Sequence, residues 1–172
     1  MASERQTGLV LIRDATAADF PAILAMNEQF AHFLSPMDAA RLEWLHGMAT
    51  CHRVVVVEGT FAGFVIAVRE GTDYDSPNYR WFAARYDRFL YIDRLAIGDG
   101  YQGRGLGRRF YEGLAELAAS SHVRRLVAEY DVSPPNPASA QLHERFGFCS
   151  VGEQTLASGK RVSLQARAVE PS

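Results

Sequence analysis

The sequence predicts an α+β fold, a mixed α/β sheet built in the order β-α-α-β-β-β-α-β-α-β-β. Apolar residues recur at helical spacing in four segments, and short runs rich in β-branched residues lie between them. Two pairs of these runs are joined by glycine turns, at Glu58-Gly59-Thr60 and at Ser158-Gly159, which predicts two hairpins. A glycine-rich turn at Gln102–Arg109 joins a strand directly to a helix.

The first half of the chain predicts three strands and two helices. Thr16 with Asp19 resembles a capping box for the first helix, because a short hydroxyl residue is followed three positions later by an acid. Ser35-Pro36 predicts the N-cap and the first residue of the second helix. The predicted strands are Leu9–Arg13, Val54–Val57 and Phe61–Val68.

The second half begins with an irregular segment, residues 70 to 88, in which Ser76-Pro77 predicts a short helix. Seven aromatic residues lie between positions 70 and 91, which is too dense for a simple connection and favours a lid or binding loop. The elements predicted after it are the strand Phe89–Ile97, a helix from Leu106 to near Ser120, the strand Leu126–Val132, a helix from Asn136 to Gly147, and the hairpin strands Phe148–Leu156 and Lys160–Ala166.

Length and composition predict a single domain spanning residues 1–172, located in the cytoplasm. The net charge of −2 and the pI of about 6.2 argue against a general nucleic-acid binder. Cys51 and Cys149 lack metal-ligand spacing, and we expect two reduced thiols and no metal. The first seven residues carry no apolar run that would indicate a signal peptide, and no segment reaches the length of a membrane span. We therefore expect neither a nucleic-acid nor a membrane partner.

The glycine-rich turn predicts an anion site. Glycine allows close approach of the backbone to a ligand, and a helix N-terminus presents unpaired N–H groups to phosphate. A dinucleotide fingerprint would need a further glycine at Arg108 or at Phe110. A P-loop counted from Gly100 would need Lys and Ser or Thr where Leu106 and Gly107 stand. The remaining pattern is Gln-x-x-Gly-x-Gly. The alternative is a turn that only connects a strand to a helix, but three glycines cost conformational entropy that such a turn does not require.

This pattern resembles the pyrophosphate-binding motif of the GNAT superfamily of acyl-CoA-dependent N-acyltransferases. The order of elements is similar to that of the family, with the motif between the fourth strand and the third helix. A second landmark, an Asn followed by a Leu-Tyr-x-x-x-Gly-Phe run, resembles the segment from Asn136 to Phe148. The resemblance covers nearly the whole chain. It implies a GNAT fold with a splayed central sheet and acetyl-CoA as co-substrate.

The resemblance also implies which residues hold the cofactor. Backbone groups of the strand before the loop pair with pantetheine, and one of their N–H groups serves as an oxyanion donor. Loop N–H groups and arginines hold the pyrophosphate, and Asn136 bonds the pantetheine arm while also capping its helix. The implied cofactor-binding residues are Leu95, Ala96, Ile97, Gln102, Gly103, Arg104, Gly105, Leu106, Gly107, Arg108 and Asn136.

Asp93 is the candidate general base, at a position where many relatives carry Glu. The period of a strand predicts that Asp93, Leu95 and Ile97 share one face. Flanking apolar residues would raise the carboxyl pKa toward a useful value. The alternative role for Asp93 is an ion pair with an arginine on a neighbouring strand, and the sequence favours neither role over the other. Glu129 and Asp131 are further carboxylates for the cleft.

His143 is the candidate general acid, because it stands where the family usually places the tyrosine that protonates the CoA thiolate. Imidazolium is a stronger acid than phenol but is only partly charged at neutral pH. The alternative is a histidine on the helix surface.

Four residues are the candidates for the acceptor side: Glu28, Tyr74, Tyr79 and Trp81. Aromatic faces attract cations, although nearby acids and arginines in the segment roughly cancel. A hydrophobic flap or a homodimer contact is the alternative for this aromatic segment.

Two functions follow from these residues. The first is N-acetylation of an amine, on a small molecule or an amino terminus, by direct attack on acetyl-CoA. The second is a non-catalytic acyl-CoA-binding sensor, which the missing tyrosine favours. A nucleotide-binding protein is disfavoured by the two failed glycine spacings.

Overall fold

The computed structural model describes residues 8–170. The first seven residues, on which the absence of a signal peptide was predicted, lie outside this range. The structure has seven strands and five α-helices within it. In chain order they are β1 (Val10–Asp14), α1 (Phe20–Gln29), α2 (Ala39–Met48), β2 (Cys51–Val57), β3 (Thr60–Arg69), α3 (Pro77–Ala83), β4 (Leu90–Ile97), α4 (Leu106–Ser120), β5 (Arg125–Ser133), α5 (Pro137–Arg145), β6 (Cys149–Thr155) and β7 (Arg161–Ala168).

All seven strands form one mixed sheet in the order β1-β2-β3-β4-β5-β7-β6. Every neighbouring pair is antiparallel except β4 and β5, which are parallel. These two central strands pair only at Leu90↔Leu126 and Tyr91↔Val127 and separate beyond that point. The predicted mixed sheet with a splayed centre is confirmed.

Helices cover both faces of the sheet. Helix α4 packs through Phe110 and Leu114 on the face that carries Leu90, Ile92 and Leu126. The other face packs against α1, α2 and α3, and it forms an aromatic cluster beside an aliphatic one. The aromatic cluster contains Tyr74, Tyr79, Phe82, Phe89 and Tyr91. Much of the irregular segment between β3 and β4 is therefore part of the core.

A β-bulge in β4 overturns the prediction that Asp93, Leu95 and Ile97 share a face. The register with β3 runs Ile66↔Arg94 and then Ala67↔Ile92, so Asp93 is the extra residue. Leu95 and Ile97 pack on the α4 side, whereas the Asp93 side chain bonds Tyr74 in the aromatic cluster on the opposite side. A strand with period two throughout would have placed all three together.

The helix starts were mostly predicted correctly, with one exception. Ser76 and Asn136 cap α3 and α5 as predicted, because each side-chain oxygen accepts from the N–H three residues on. Helix α2, however, begins at Ala39 with Asp38 as its cap, not at Ser35, because the Asp38 side chain accepts from the Arg41 N–H at 2.8 Å. Among residues 8–170, no helix is both long enough and apolar enough to cross a membrane.

Candidate active site

The separation of β4 and β5 creates an opening in the middle of the sheet. Beyond Tyr91 and Val127, the facing edges of the two strands have no sheet partner in the described chain. Unpaired strand edges present rows of N–H and C=O groups, and an extended ligand pairs with such groups as an added strand does. Leu95, Ala96 and Ile97 lie on the β4 side of this opening, where pantetheine-binding residues were predicted.

The glycine-rich loop lies at the carboxyl end of β4 and starts α4. Gly103 and Gly105 have φ angles of 77° and 76°, in the left-handed region that favours glycine. Arg109 is the first residue whose N–H donates into the helix, to the Gly105 carbonyl at 3.1 Å. The N–H groups just before it therefore lack helical partners and suit an anion.

Side chains around this loop add positive charge and hold its shape. The Gln102 amide donates to the Ile97 carbonyl at 3.1 Å, which ties the loop to the end of β4. Arg104 lies over the Tyr101 ring at 5.4 Å, and exposed Arg108 pairs with Glu112 at 2.9 Å. Leu106 is buried in the core, so only its backbone is available to a ligand.

Glu129 lies on β5, two residues beyond the last pair with β4, and is partly exposed there. The buried Tyr91 hydroxyl contacts its two carboxylate oxygens at 2.9 and 2.8 Å. Burial raises the pKa of Glu129 to about 8, and the nearby charges of Asp93 and Asp131 add to the rise. Hydrogen bonds from Tyr91 and Asn78 oppose it. A carboxyl group that titrates near neutral pH suits proton transfer.

Asp93 is held in a second buried network on the same side of the sheet. Its carboxylate pairs with Arg94 Nε at 2.7 Å and accepts from the Tyr74 hydroxyl. Both ion-pair side chains are about 5% exposed or less. Arg94 also donates to the Asn27 side chain at 2.8 Å and to the Ser35 carbonyl at 3.1 Å. The network thus fixes α1 and the loop after it to the bulge of β4.

His143 is buried among aromatic rings, with 5% of the residue exposed. Its Nδ1 lies 2.7 Å from the Ser139 carbonyl oxygen, a geometry in which Nδ1–H donates and Nε2 keeps its lone pair. Burial lowers the pKa of His143 below its ordinary value, with the Ser139 hydrogen bond opposing this. The ring is therefore mostly neutral near pH 7. The alternative of a histidine on the helix surface is wrong.

The sequence profile of the Acetyltransferase (GNAT) family matches residues 12–148, which include the loop, the opening and α5. The chain belongs to the GNAT acetyltransferase family. It is an acyl-CoA-dependent N-acyltransferase, as the glycine motif and the order of elements predicted.

One relative is similar in sequence, and two solved structures are similar in fold. An L-methionine sulfoximine/L-methionine sulfone acetyltransferase of Pseudomonas paraeruginosa is 29% identical, over 80% of this chain and 78% of its own. Ard1 of Thermoplasma volcanium has a similar fold at 13% identity, with a TM-score of 0.76 over 94% of this chain and 98% of its own. N-acetylglutamate synthase of Neisseria gonorrhoeae was solved with coenzyme A and N-acetyl-glutamate. Its fold is similar with a TM-score of 0.70 at 17% identity, and the match covers 94% of this chain and 35% of its own.

Two of the predicted acceptor residues, Tyr79 and Trp81, make packing contacts in this GNAT domain. Tyr79 is 2% exposed, and its hydroxyl is occupied by the Arg69 carbonyl at 2.7 Å and by Thr72. Trp81 packs on β6, where a Cβ at Gly152 would meet the indole ring at 2.5 Å. Both side chains contribute to packing. The Tyr79 ring lies 5.5 Å from the Tyr74 ring, and a role for Tyr79 and Trp81 toward the acceptor stays a prediction.

Glu28 and Tyr74, the other two predicted acceptor residues, lie at or beside a surface groove; Tyr74 is 3% exposed, as buried as Tyr79. Exposed Glu28 lines a groove of about 530 Å³ together with Pro36, Met37, Asp38 and Arg41. Tyr74 lies beside this groove, because the Arg41 guanidinium is 5.5 Å from its ring and the Tyr74 hydroxyl reaches Asp93. Within residues 8–170, no group of three or more His, Cys, Asp or Glu side chains is arranged to hold a metal ion.

Asn136 caps α5 through its side-chain oxygen, which accepts from the Ser139 N–H at 3.2 Å. The capping role is confirmed. The amide nitrogen stays available as a donor, and its predicted bond to the pantetheine arm stays a prediction. Glu129 was noted in the sequence only as a further carboxylate. A stronger signal was present, because Glu129 interrupts the apolar run Leu126–Ala128 inside a buried strand. A charge at such a position needs a functional or structural reason.

Proposed function

We propose that this protein transfers the acetyl group of acetyl-CoA to the α-amine of a small amino acid. The observation that carries the proposal is the opening between β4 and β5, which has a phosphate-type loop at one end and the carboxylate of Glu129 inside it. The methionine sulfoximine acetyltransferase relative, which aligns over most of both chains, supports a free amino acid as acceptor.

Acetyl-CoA supplies an electrophilic thioester carbonyl when bound. The outward N–H groups from Gly103 to Gly107, with Arg104 and Arg108, hold the pyrophosphate. The open edge of β4 at Leu95, Ala96 and Ile97 orients the pantetheine arm and provides an oxyanion donor, and Asn136 holds the arm from the β5 side. The left-handed glycines support this arrangement, because a turn without a ligand does not need backbone approach at both positions.

Glu129 is the general base in this proposal, in place of Asp93. The substrate ammonium must lose a proton before its nitrogen attacks, and the acceptor of that proton must be free to bind one. Asp93 is neutralised by Arg94 at 2.7 Å and also bonded by Tyr74, whereas Glu129 has no cationic partner in the described residues. We assign Asp93 to positioning of the acceptor loop through Arg94, Asn27 and Ser35.

His143 does not act as a cationic acid in this proposal. Its lowered pKa leaves little imidazolium at neutral pH, and its Nδ1–H is used by the Ser139 carbonyl. The nitrogen of the acceptor forms the new C–N bond, the C–S bond breaks, and the departing thiolate takes its proton from solvent. Glu129 passes the amine proton to solvent in turn.

The expected site of action is the cytoplasm, where acetyl-CoA is made and thiols stay reduced; Cys51 and Cys149 are both free, which supports this location. A single domain over residues 1–172 and a homodimer contact through the aromatic segment remain predictions.

The test is thiol release from acetyl-CoA over a panel of L-amino acids, their amides and simple amines, alongside calorimetric binding of acetyl-CoA. We expect acetyl-CoA to bind, and at least one amino acid to give turnover together with an N-acetylated product by mass spectrometry. Binding with no turnover on any amine would favour the sensor. If acetyl-CoA did not bind, the proposed cofactor site would be contradicted.

A further inference from the structure

Lys160 is the only lysine in the sequence, and it directly precedes β7, the return strand of the final hairpin. Its ammonium lies 3.1 Å from Asp131 Oδ2 on β5 and 3.4 Å from the His32 carbonyl oxygen. The turn between β6 and β7 therefore meets the loop between α1 and α2 across one face of the sheet. The Lys160 side chain is 29% exposed, so solvent and ligands can reach it.

Lys160 lies on the same face of the sheet as Glu129. Asp131 follows Glu129 by two residues on β5, and residues two apart in a strand project to the same side. Their partners on β7, Val162 and Leu164, both belong to the aromatic cluster on that side. Two strand residues span about 7 Å, so the ammonium lies within the length of a small molecule from the Glu129 carboxylate.

The Lys160 ammonium keeps capacity for a ligand. It has three N–H donors, and the contacts to Asp131 and His32 use two of them. An amino acid is a zwitterion, so a site that holds its ammonium beside a carboxylate needs a cation for its other end. We propose that Lys160 binds the α-carboxylate of the acceptor while Glu129 receives the proton of its amine. This inference rests on the proposed function and specifies its acceptor.

Arg41 is the other cation near the acceptor side, and its contacts argue against the same role. Two of its nitrogens bond the Asp75 carboxylate at 2.9 and 2.6 Å, and its guanidinium lies over the Trp44 ring at 4.7 Å. The planar fork of the guanidinium is thereby used in a bidentate pair, which leaves its charge locally compensated.

The kinetic test compares each accepted amino acid with its carboxamide, a pair that differs in the charge of one group. We expect wild type to favour the acid over the amide at least tenfold in kcat/KM. Lys160→Met should bring this ratio close to one, and Lys160→Arg should keep most of it. Asp131→Asn provides the matched control: it breaks the same ion pair but retains the lysine charge, so it should keep the preference.

A binding readout makes the test independent of turnover. Protein grown with ¹³C-lysine carries label at a single residue, so its CεH₂ signal reports on Lys160 alone. Titration of the acetyl-CoA-saturated protein with the amino acid should shift this signal, and titration with the amide should not. The melting temperature of Lys160→Met, compared with that of wild type, shows whether the substitution leaves the protein folded.

Equal ratios in wild type and Lys160→Met, with activity retained, would overturn the inference. So would a loss of preference in Asp131→Asn that matches the loss in Lys160→Met, since the ion pair would then be the cause. The inference would also be overturned if the Lys160 CεH₂ signal did not shift on titration with an amino acid that the enzyme acetylates. Failure of the proposed function is distinct, because no amine would then release thiol from bound acetyl-CoA.

Discussion

Glu129 meets two opposing demands at the level of the single residue. Its burial raises the pKa to about 8, which suits proton transfer and also makes the charged form unfavourable in the folded state. A carboxyl group with a folded pKa above its unfolded value binds an extra proton in the folded protein. The stability it contributes is present at low pH and is lost as pH rises toward 8.

Glu129→Gln tests this base directly. Because a general base contributes about 10² to 10⁴ in rate, we expect kcat/KM for the acceptor to fall by about 100-fold or more. The wild-type rate should rise with pH through an apparent pKa near 8, and the variant should lose that dependence. Stopped-flow or thiol-release assays between pH 6 and 9.5 measure both.

The control for this variant is Glu153→Gln, whose side chain is 56% exposed on β6 and should leave the profile unchanged. Glu129→Gln should also melt at a higher temperature than wild type at pH 8, because the variant lacks the carboxylate charge that this site disfavours. If Glu129→Gln kept the wild-type pH profile, the general base would be another group.

Residue types were predicted better than residue surroundings. The position of Asp93, two residues before Leu95, was found from the strand and the glycine motif that follows it. What the sequence did not show is that Asp93 occupies a bulge beside Arg94, because a bulge depends on register with β3. The neutral state of His143 depends in the same way on Tyr111, Tyr130 and Phe148, which come from other elements.

At the scale of the element, the start of α4 is set by backbone conformation. Gly105 adopts φ of 76°, and no atom lies within 4 Å of the position that a Cβ would occupy, so a side chain there meets strain but no clash. Gly105→Ala should cost about 1–2 kcal/mol in this conformation and shift the loop N–H groups. We expect the Kd for acetyl-CoA to rise about tenfold by calorimetry.

Gly100→Ala is the matched control for the loop, because its Cβ also meets open space and its φ is not in the left-handed region. Its affinity for acetyl-CoA should match wild type. An equal loss in both variants would mean that the loop tolerates no added methyl group, and backbone conformation at Gly105 would not be the cause.

The bulge of β4 is held by a buried ion pair, and Asp93→Asn tests its role. Loss of the Asp93 charge leaves the Arg94 guanidinium buried without its anion, which typically costs about 3–5 kcal/mol. Denaturant unfolding should show this loss. The residual activity should still rise with pH, with its profile moved toward lower pH, because the Asp93 charge that adds to the raised pKa of Glu129 is gone.

Asp75→Asn is the comparison for that variant. It removes the carboxylate that pairs with Arg41, but the Asp75 side chain is 51% exposed, and exposed pairs are worth about 1 kcal/mol or less. Complete loss of the pH dependence in Asp93→Asn, as opposed to a shift of the profile, would restore Asp93 as the base.

Elements with local signals were predicted well. Glycine turns and proline–cap pairs fixed the two hairpins and the starts of α3 and α5, because these signals act within a few residues. The start of α2 was wrong by several residues, since Ser35-Pro36 and Asp38 are both acceptable caps and only the fold selects between them.

At the scale of the whole molecule, buried histidines couple stability to acid. His52 is 7% exposed, its Nδ1 lies 2.8 Å from His46 Nδ1, and its Nε2 is buried without a partner among the described residues. Burial, with the nearby His46, lowers the pKa of His52 to about 4. The unfolded chain binds this proton near pH 6.5, so stability present above that pH is lost as pH falls toward 4.

His52→Gln should therefore flatten the acid side of the stability curve. Up to about 3 kcal/mol of the wild-type loss between pH 7 and pH 4 should disappear in this variant, measured by urea unfolding at each pH. His32→Gln alters an exposed histidine and should follow wild type. Parallel curves for wild type and His52→Gln would contradict the assignment.

The fold as a whole was predictable, whereas the acceptor side was not. Local periodicity and two spaced motifs identify the order of elements, and the order determines the sheet. The groove at Glu28 is assembled from α1, α2 and the loop between them, and Lys160 contacts that loop from a hairpin more than a hundred residues away. Contacts over such separations leave no periodic trace in one sequence.

Only two residue pairs, between β4 and β5, join the four-stranded part of the sheet to the three-stranded part. A donor molecule bonded to both edges would join these halves, and its binding energy would add to the stability of the folded state. Cellular proteases degrade chains that open, so the lifetime of this protein should lengthen when the donor is abundant and shorten when it is scarce. The gap in the sheet thus links the rate at which the enzyme is degraded to the metabolic supply of its own substrate.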